Sequence, residues 1–593
     1  MAGIFVPRWL LIAMAALLAA PLYALEVEQT LWGFDGRVVP DHFNPFSVLV
    51  SNPGNLAFDG ALSLVLNGSG PGGNASLRGA SYVQPIFLAP HTSRWVQFSV
   101  PGTHSAGPSE LRWGRGAKEF SDVDGPLSTG PPSCVWLRDL DSPFTAGGSL
   151  KSFPDQLFPT SAVAAESLDA VVLDHVPHWE PARRDAFLDW VRLGGTLHLV
   201  PDTNGALPAF GGDLKELDAQ DEVTRVGAGR VVHHAIALRE MSEQYLTAHG
   251  YPARTLENVK GPILYDMEST FFRDLSSLTR PKVSWTLINL VMIAYVAVVG
   301  PMHNYFRRRI DYRVSILIFL GCVAAFGAAL GIIGRRGYGE SQTVHSLGIA
   351  RALGGGRVDV TQWISAFATA GDRYTLTHRA PANLYASDRF AETGSGLIFN
   401  GKDGYMLMDI PLYSARAFTH RAIMTGDDTS VTVEKWGSDS YGSDFRTPGT
   451  LHDLRLRTGP GFPQHARAIH AVYKDTIFEL ELHDGVLTRN SRTGEALSSY
   501  FSRDKLNAAS YQDFSSRTTT PHTADTLSVL LPALAARTLN YPAVFPTHIS
   551  APKNRAEMQL LILAPAPPSL QLQGKGFAHE DGWVLYVQDV SKP

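Results

Sequence analysis

Residues 283–334 read VSWTLINLVMIAYVAVVGPMHNYFRRRIDYRVSILIFLGCVAAFGAALGIIG, and the reading of this stretch decides the architecture of the whole chain. From Val283 to Phe306 there is no Asp, Glu, Lys or Arg, and from Val314 to Gly334 there is none either. A helix needs about 20 predominantly apolar residues to cross a bilayer, so each run predicts a transmembrane helix. The second run holds eleven Val, Ile, Leu or Phe residues. At the membrane centre such side chains favour insertion by roughly 3 to 7 kcal/mol together, with no charge opposing them. A buried core helix is the competing reading, but two such runs this close together are hard to hide inside a soluble core.

Arg307, Arg308, Arg309 and Arg313 crowd the connection 307–313, and positive charge favours the cytoplasmic side. Arg280, Lys282, Arg335 and Arg336 flank the outer ends and weaken that rule, so the orientation rests on the amino terminus. There a single basic residue, Arg8, precedes an apolar segment from Trp9 to Ala20 and a small-residue site ending at Ala24, the pattern of a signal peptide over 1–24. An uncleaved anchor helix is the alternative, and either one exports the chain beyond residue 24. The expected topology is a cytoplasmic (inner) membrane protein with most of its chain exported, entering the membrane at Val283, turning at the arginines and leaving by Gly334. Gly300-Pro301 sits near the inner end of the first helix, where proline removes a backbone hydrogen bond and bends the last turn.

Working outward, residues 25–130 alternate apolar and polar in segments such as NPFSVLVSNPG and SRWVQFSVPG, which predicts the half-buried strands of an N-terminal β-sandwich. Residues 131–245 change character. SLDAVVLDHV is a continuous apolar strand, EPARRDAFLDWVRLGG an amphipathic helix with Pro181 in its first turn and Gly194 at its end, and TLHLVP another strand. Strand, helix, strand in this spacing predicts an α/β domain with a parallel sheet, closed by a hairpin around Gly227 to Gly229. Residues 246–282 read as a linker. After the helices, 335–593 predict an exported β-rich region. A length of 593 residues accommodates about three or four domains, so the chain reads as a multidomain membrane protein.

The net charge of -5 implies no nucleic-acid partner. The chain has 2 cysteines, Cys134 and Cys322, and the second lies inside an apolar run, which excludes a disulfide scaffold and a multi-cysteine zinc site.

The stretch LDAVVLDH...RRDAFLDWVRLGGTLHLV resembles the class I glutamine amidotransferase-like fold found in a group of bacterial membrane proteins, and VAVVGPMHNYFRRR is similar to the signature at the first central helix of that group. The resemblance covers the order β-sandwich, α/β domain, two helices, β-rich domain. It implies a genomic setting beside MoxR-type AAA+ ATPases and von Willebrand factor A proteins, hence an assembly or chaperone-like role in the envelope. It implies no enzymatic activity.

An amidotransferase needs a cysteine nucleophile on a sharp strand-to-helix turn. Cys134 instead begins what reads as the first strand of the domain, before VWLRDL. There is no Gly-x-Ser-x-Gly elbow, no His-Glu-x-x-His helix and no phosphate loop. The best remaining polar cluster is Asp174, His175 and His178 at the carboxyl end of the LDAVVLDH strand, with His198, His233 and His234 as further candidates. Parallel sheets collect ligands at that end, and His with Asp suits metal binding or acid-base work. The plainer reading is surface and loop histidines in a chain with 20 of them.

The residues therefore favour a non-catalytic, membrane-anchored envelope protein acting as scaffold or interaction factor, with no cofactor and no metal. A membrane-bound hydrolase or metal-dependent enzyme using the Asp174 cluster is the first alternative, and a cell-wall or glycan binding module the second.

Overall fold

In a computed structural model, the chain is described from residue 25 to 590, apart from 141–148, 252–270, 276–284, 335–341, 388–395, 439–450, 501–530, 539–557 and shorter breaks. The signal-peptide segment 1–24 lies outside the described residues.

The region 131–245 holds a six-stranded sheet in the order Lys151–Pro154, Ser133–Arg138, Leu168–Leu173, Thr196–Leu199, Gly229–His233, Val223–Val226. The first five strands run parallel, and the last pairs antiparallel in the hairpin around Gly227. The helix Pro181–Arg192 connects Leu168–Leu173 to Thr196–Leu199 and buries Phe187, Trp190 and Val191 against the sheet. Trp190 Nε1 donates to the carbonyl of Leu168 at 3.1 Å, which locks the helix to the strand that precedes it. Gly194, just past the helix end, has φ +124, a conformation that suits glycine.

Gly229 answers a tighter demand. A Cβ there would collide with the carbonyl oxygens of Val191 and Gly195, so the hairpin can lie against the end of the helix only with hydrogen at that position. Gly229→Ala should cost about 1 to 3 kcal/mol, the usual range for overpacking. An unchanged thermal midpoint would show that this approach carries no strain.

The β regions on either side of the apolar runs are not separate modules. A nine-stranded sheet combines the N-terminal strands Phe58–Ser69, Ser81–Leu88, Ser109–Trp113 and Glu119–Val123 with the C-terminal strands Asp372–Thr377, Gly396–Phe399 and Tyr405–Ile410. The seam is parallel, Ser81 opposite Leu397 and Tyr82 opposite Ile398. A second, 13-stranded sheet is built from C-terminal strands alone, among them Thr343–Gly354, Arg357–Ala368, Ser414–Thr425 and His579–Val590. One apolar core joins the N-terminal strands to both sheets: Phe46, Leu62, Leu64 and Phe98 pack in the same cluster as Ile364, Tyr385, Met406 and Phe418. Phe271, Phe272 and Leu275, within the segment that reads as a linker, are also buried, Phe271 with its ring 5.0 Å from that of Trp363.

The expectation of two transmembrane helices over 283–306 and 314–334 needs correction. Among the described residues one helix, Tyr312–Gly334, is long and apolar enough to cross a membrane. Among the described residues the first run forms an α-helix over Trp285–Ala297, followed by a π-helical turn at Val298–Met302 that contains Pro301, and Tyr305 is again helical. Thirteen α-helical residues rise about 20 Å, short of the roughly 30 Å of a bilayer core. Proline supplies no N–H and its ring crowds the preceding turn, so the α-helix widens to a π-turn there. The two helices touch through Tyr295 and Phe326, ring centroids 5.4 Å apart. Their other faces leave Leu290, Ile293, Leu317 and Leu320 exposed. Of the connecting arginines, Arg307 and Arg308 lie outside the described residues, Arg313 is exposed on the second helix, and Arg309 places its guanidinium 4.9 Å from the Tyr305 ring centroid.

Candidate functional site

The parallel sheet has a topological switch point. From its first strand, Ser133–Arg138, the chain goes to one side for Lys151–Pro154 and to the other for Leu168–Leu173. Ligands of open parallel sheets gather at the carboxyl ends of strands at such a point. Asp155 directly follows one flanking strand, and Asp174 and His175 directly follow the other.

His175 bridges them. Its Nδ1 donates to Asp174 Oδ1 at 2.8 Å, and its Nε2 faces Asp155 Oδ2 at 3.4 Å. Trp136, on the strand between, directs its Nε1 to Asp174 Oδ1 at 3.5 Å, and Trp179 Nε1 donates to the backbone carbonyl of Asp155 at 2.8 Å. Burial works against a charge on His175, but the hydrogen bonds to Asp155 and Asp174 and the two negative charges outweigh it, and the pKa rises to about 9. At neutral pH the ring is an imidazolium with both nitrogens committed to carboxylates. Charge and geometry together make the arrangement an electrostatic clasp across strand ends.

The structure brings Asp174 and His175 together but leaves His178 exposed and outside the clasp. His198 and His234 form a separate buried pair, Nδ1 to Nε2 at 2.9 Å, with Tyr245 Oη 3.5 Å from His234 Nδ1. Burial lowers their pKa values to about 3 and about 4, and neighbouring positive charge adds to the shift. His233 is elsewhere, its Nδ1 2.9 Å from the carbonyl oxygen of Asp221. Among the described residues no group of three or more His, Cys, Asp or Glu is arranged to hold a metal ion. Cys134 lies within the strand Ser133–Arg138, and its thiol is pushed up to about 12 by burial, then by Asp169 and Glu243. A thiol in that state is not a nucleophile at neutral pH.

Sequence reasoning missed Asp155, because the short strand KSFP before it carries little alternation. It also missed two buried polar groups at the seams of the fold. Arg421 binds Glu166 and Thr361 and lies 3.2 Å from Asp359 Oδ1, while Arg357 pairs with Asp189 at 2.5 Å, so both ion pairs join the parallel-sheet region to the large C-terminal sheet. The second group lies on the inner face of that sheet. His420 sits between Gln362 Oε1 at 3.0 Å and Asn383 Oδ1 at 2.8 Å, stacked 3.7 Å from His378.

No family model matches the chain, and no curated protein does. Among solved structures it is similar to a cycloisomaltooligosaccharide glucanotransferase of Paenibacillus sp., complexed with cycloisomaltoheptaose. The two are 11% identical, and the match covers 35% of this chain and 24% of that one with a TM-score of 0.15. The chain thus spans about a quarter of that structure's length, and a likeness of this size carries no argument about fold or activity.

Proposed function

We propose that this chain is a non-catalytic, membrane-anchored envelope protein that presents one large β body outside the cytoplasmic membrane and acts there as a scaffold or assembly factor. The observation that carries the reading is the seam between Ser81–Leu88 and Gly396–Phe399. These strands flank the two apolar helices in sequence, yet they pair in one sheet over one core. A single crossing by Tyr312–Gly334 would put them on opposite sides of the bilayer. If Tyr312–Gly334 crosses, an even number of crossings would keep the two strands on one side, and in this proposal the first helix, with its π-helical extension to Met302, serves as the return partner. The short connection with Arg309 and Arg313 then faces the cytoplasm.

Committed ring nitrogens at His175 and an inert Cys134 speak for a binding role over hydrolysis. The amidotransferase-like reading of 131–245 draws on the parallel strand order and the helix Pro181–Arg192. Contact with a MoxR-type AAA+ ATPase and von Willebrand factor A proteins belongs to the same proposal.

Single-cysteine labelling with a membrane-impermeant maleimide tests the topology. In intact spheroplasts Leu56→Cys should react at once and Arg309→Cys only after permeabilisation. Labelling of both from outside would sink the hairpin. For the scaffold role, crosslinking in native membranes followed by mass spectrometry should recover envelope partners. Recovery of the protein alone would count against that role.

A further inference from the structure

We infer that the turn Pro411–Tyr413 is a second membrane contact, a short tip that seats Leu412 and Tyr413 in the lipid headgroup region and fixes the tilt of the β body. The inference rests on the hairpin reading above.

Register places the turn. Ser414 pairs with Ala368, and Phe367 pairs with Thr343, the first residue of the strand that follows the second apolar helix. The turn is therefore two strand spacings, about 10 Å, from the point where the chain arrives from the membrane. The connection from Gly334 to Thr343 can span at most about 30 Å, so this end of the sandwich is the one tethered near the bilayer.

The chemistry of the tip is the second observation. Leu412 is 62% exposed, and Tyr413 holds φ +50, a left-handed conformation that turns ordinarily assign to Gly, Asn or Asp. The turn is braced, because Ser414 Oγ donates to the Pro411 carbonyl at 2.8 Å and a Cβ on Gly371 would lie 3.0 Å from the Leu412 nitrogen. A rigid turn that spends a strained position on tyrosine and points leucine outward suits a lipid interface, where aromatic side chains concentrate and apolar ones are buried. Lys575, exposed in the turn before the strand His579–Val590, which begins beside Thr343, adds a cation at the same end for lipid phosphates.

The opposite end supplies an internal control. Leu56 is 56% exposed but lies beyond Phe58, which pairs with Leu88 at the far end of the nine-stranded sheet. It sits on the order of 30 Å along the strands from Leu412.

The test uses the full chain in vesicles of phosphatidylethanolamine and phosphatidylglycerol, with an environment-sensitive fluorophore on Leu412→Cys, Leu56→Cys or Leu317→Cys and spin-labelled lipid as quencher. The expected result is strong quenching at 317, severalfold greater quenching and a blue shift at 412 relative to 56, and little change at 56. Quenching at 317 with 412 behaving like 56 would overturn the tip and leave the anchor standing. An unquenched 317 would overturn the anchor, and the tip with it.

Discussion

Lowering the pH from 7 to 5 should cost this protein several kcal/mol of unfolding free energy. Four buried histidines carry the effect together with His470, whose pKa burial lowers to about 4. His198, His234, His378 and His420 all have pKa values lowered chiefly by burial, to about 3, about 4 and about 3 for the first three and well below the usual value for His420. The unfolded chain takes up protons near pH 6.5 that the folded chain refuses. Each histidine therefore contributes stability above that pH that is lost as pH falls, by about 1.4 kcal/mol per unit and roughly 2 kcal/mol by pH 5. Asp189 and Asp359 act with the opposite sign. Burial raises them to about 6 and about 7 against the pull of Arg357 and Arg351, so their contribution grows as pH falls through those values and offsets part of the loss. His175, whose pKa is raised, gains the last part of its contribution as pH falls through the usual histidine value and so offsets a small part of the loss. Its contribution is complete below the usual histidine pKa and is lost as pH rises through about 9, which adds an alkaline limb. Urea midpoints between pH 5 and 10 would check the profile; a flat line from 7 to 5 would show that these rings are not neutral in the folded state.

His420 sharpens the point, because its hydrogen bonds and its burial favour different charge states. The Asn383 amide donates to the carbonyls of His378, Ala380 and Gly404, and that of Gln362 donates to Leu570, so both amides present oxygen to the ring. Two oxygens call for an imidazolium. Yet the ring is fully buried, and the groups that shift it are burial and the stacked His378, both of which lower its pKa. An unbalanced buried charge costs more than one misfaced amide oxygen, so the neutral ring prevails at pH 7.

The second large effect is expected at Arg421. Arg421→Met should destabilise the protein by about 3 to 5 kcal/mol, because Glu166 would lose the guanidinium that offsets its burial and Asp359, already raised to about 7, would lose a second cation beside Arg351. The parallel-sheet region should become the first target of limited proteolysis, since the link between Glu166 and the large sheet passes through this side chain. Adding Glu166→Gln and Asp359→Asn to Arg421→Met should restore most of the loss, because neutral amides tolerate burial better than lone carboxylates. A midpoint within the error of the parent for Arg421→Met alone would place this cluster among ion pairs that contribute little.

Much of the local structure was legible in the residues. Alternation in SRWVQFSVPG marked the strand Thr92–Pro101, and Pro181 and Gly194 bracketed the helix Pro181–Arg192. The unbroken run from Val314 to Gly334 became one helix from Tyr312 to Gly334. Of the candidate site, Asp174 and His175 were visible as a polar pair ending an apolar strand, while Asp155 was not, since its role depends on which strand lies next to Ser133–Arg138.

By itself, then, the sequence determined strands such as Thr92–Pro101 and Leu168–Leu173, the helices Pro181–Arg192 and Tyr312–Gly334, and that Cys134 belongs to a strand. The tertiary structure alone decided that Ser81–Leu88 pairs with Gly396–Phe399 across the apolar helices, that Arg421 reaches Glu166, and that Asp155 completes the clasp on His175. The reason is physical. Periodicity is a property of neighbouring residues and reports the face a segment buries, whereas partner choice between distant strands follows from the fit of whole surfaces, which no short window of sequence contains.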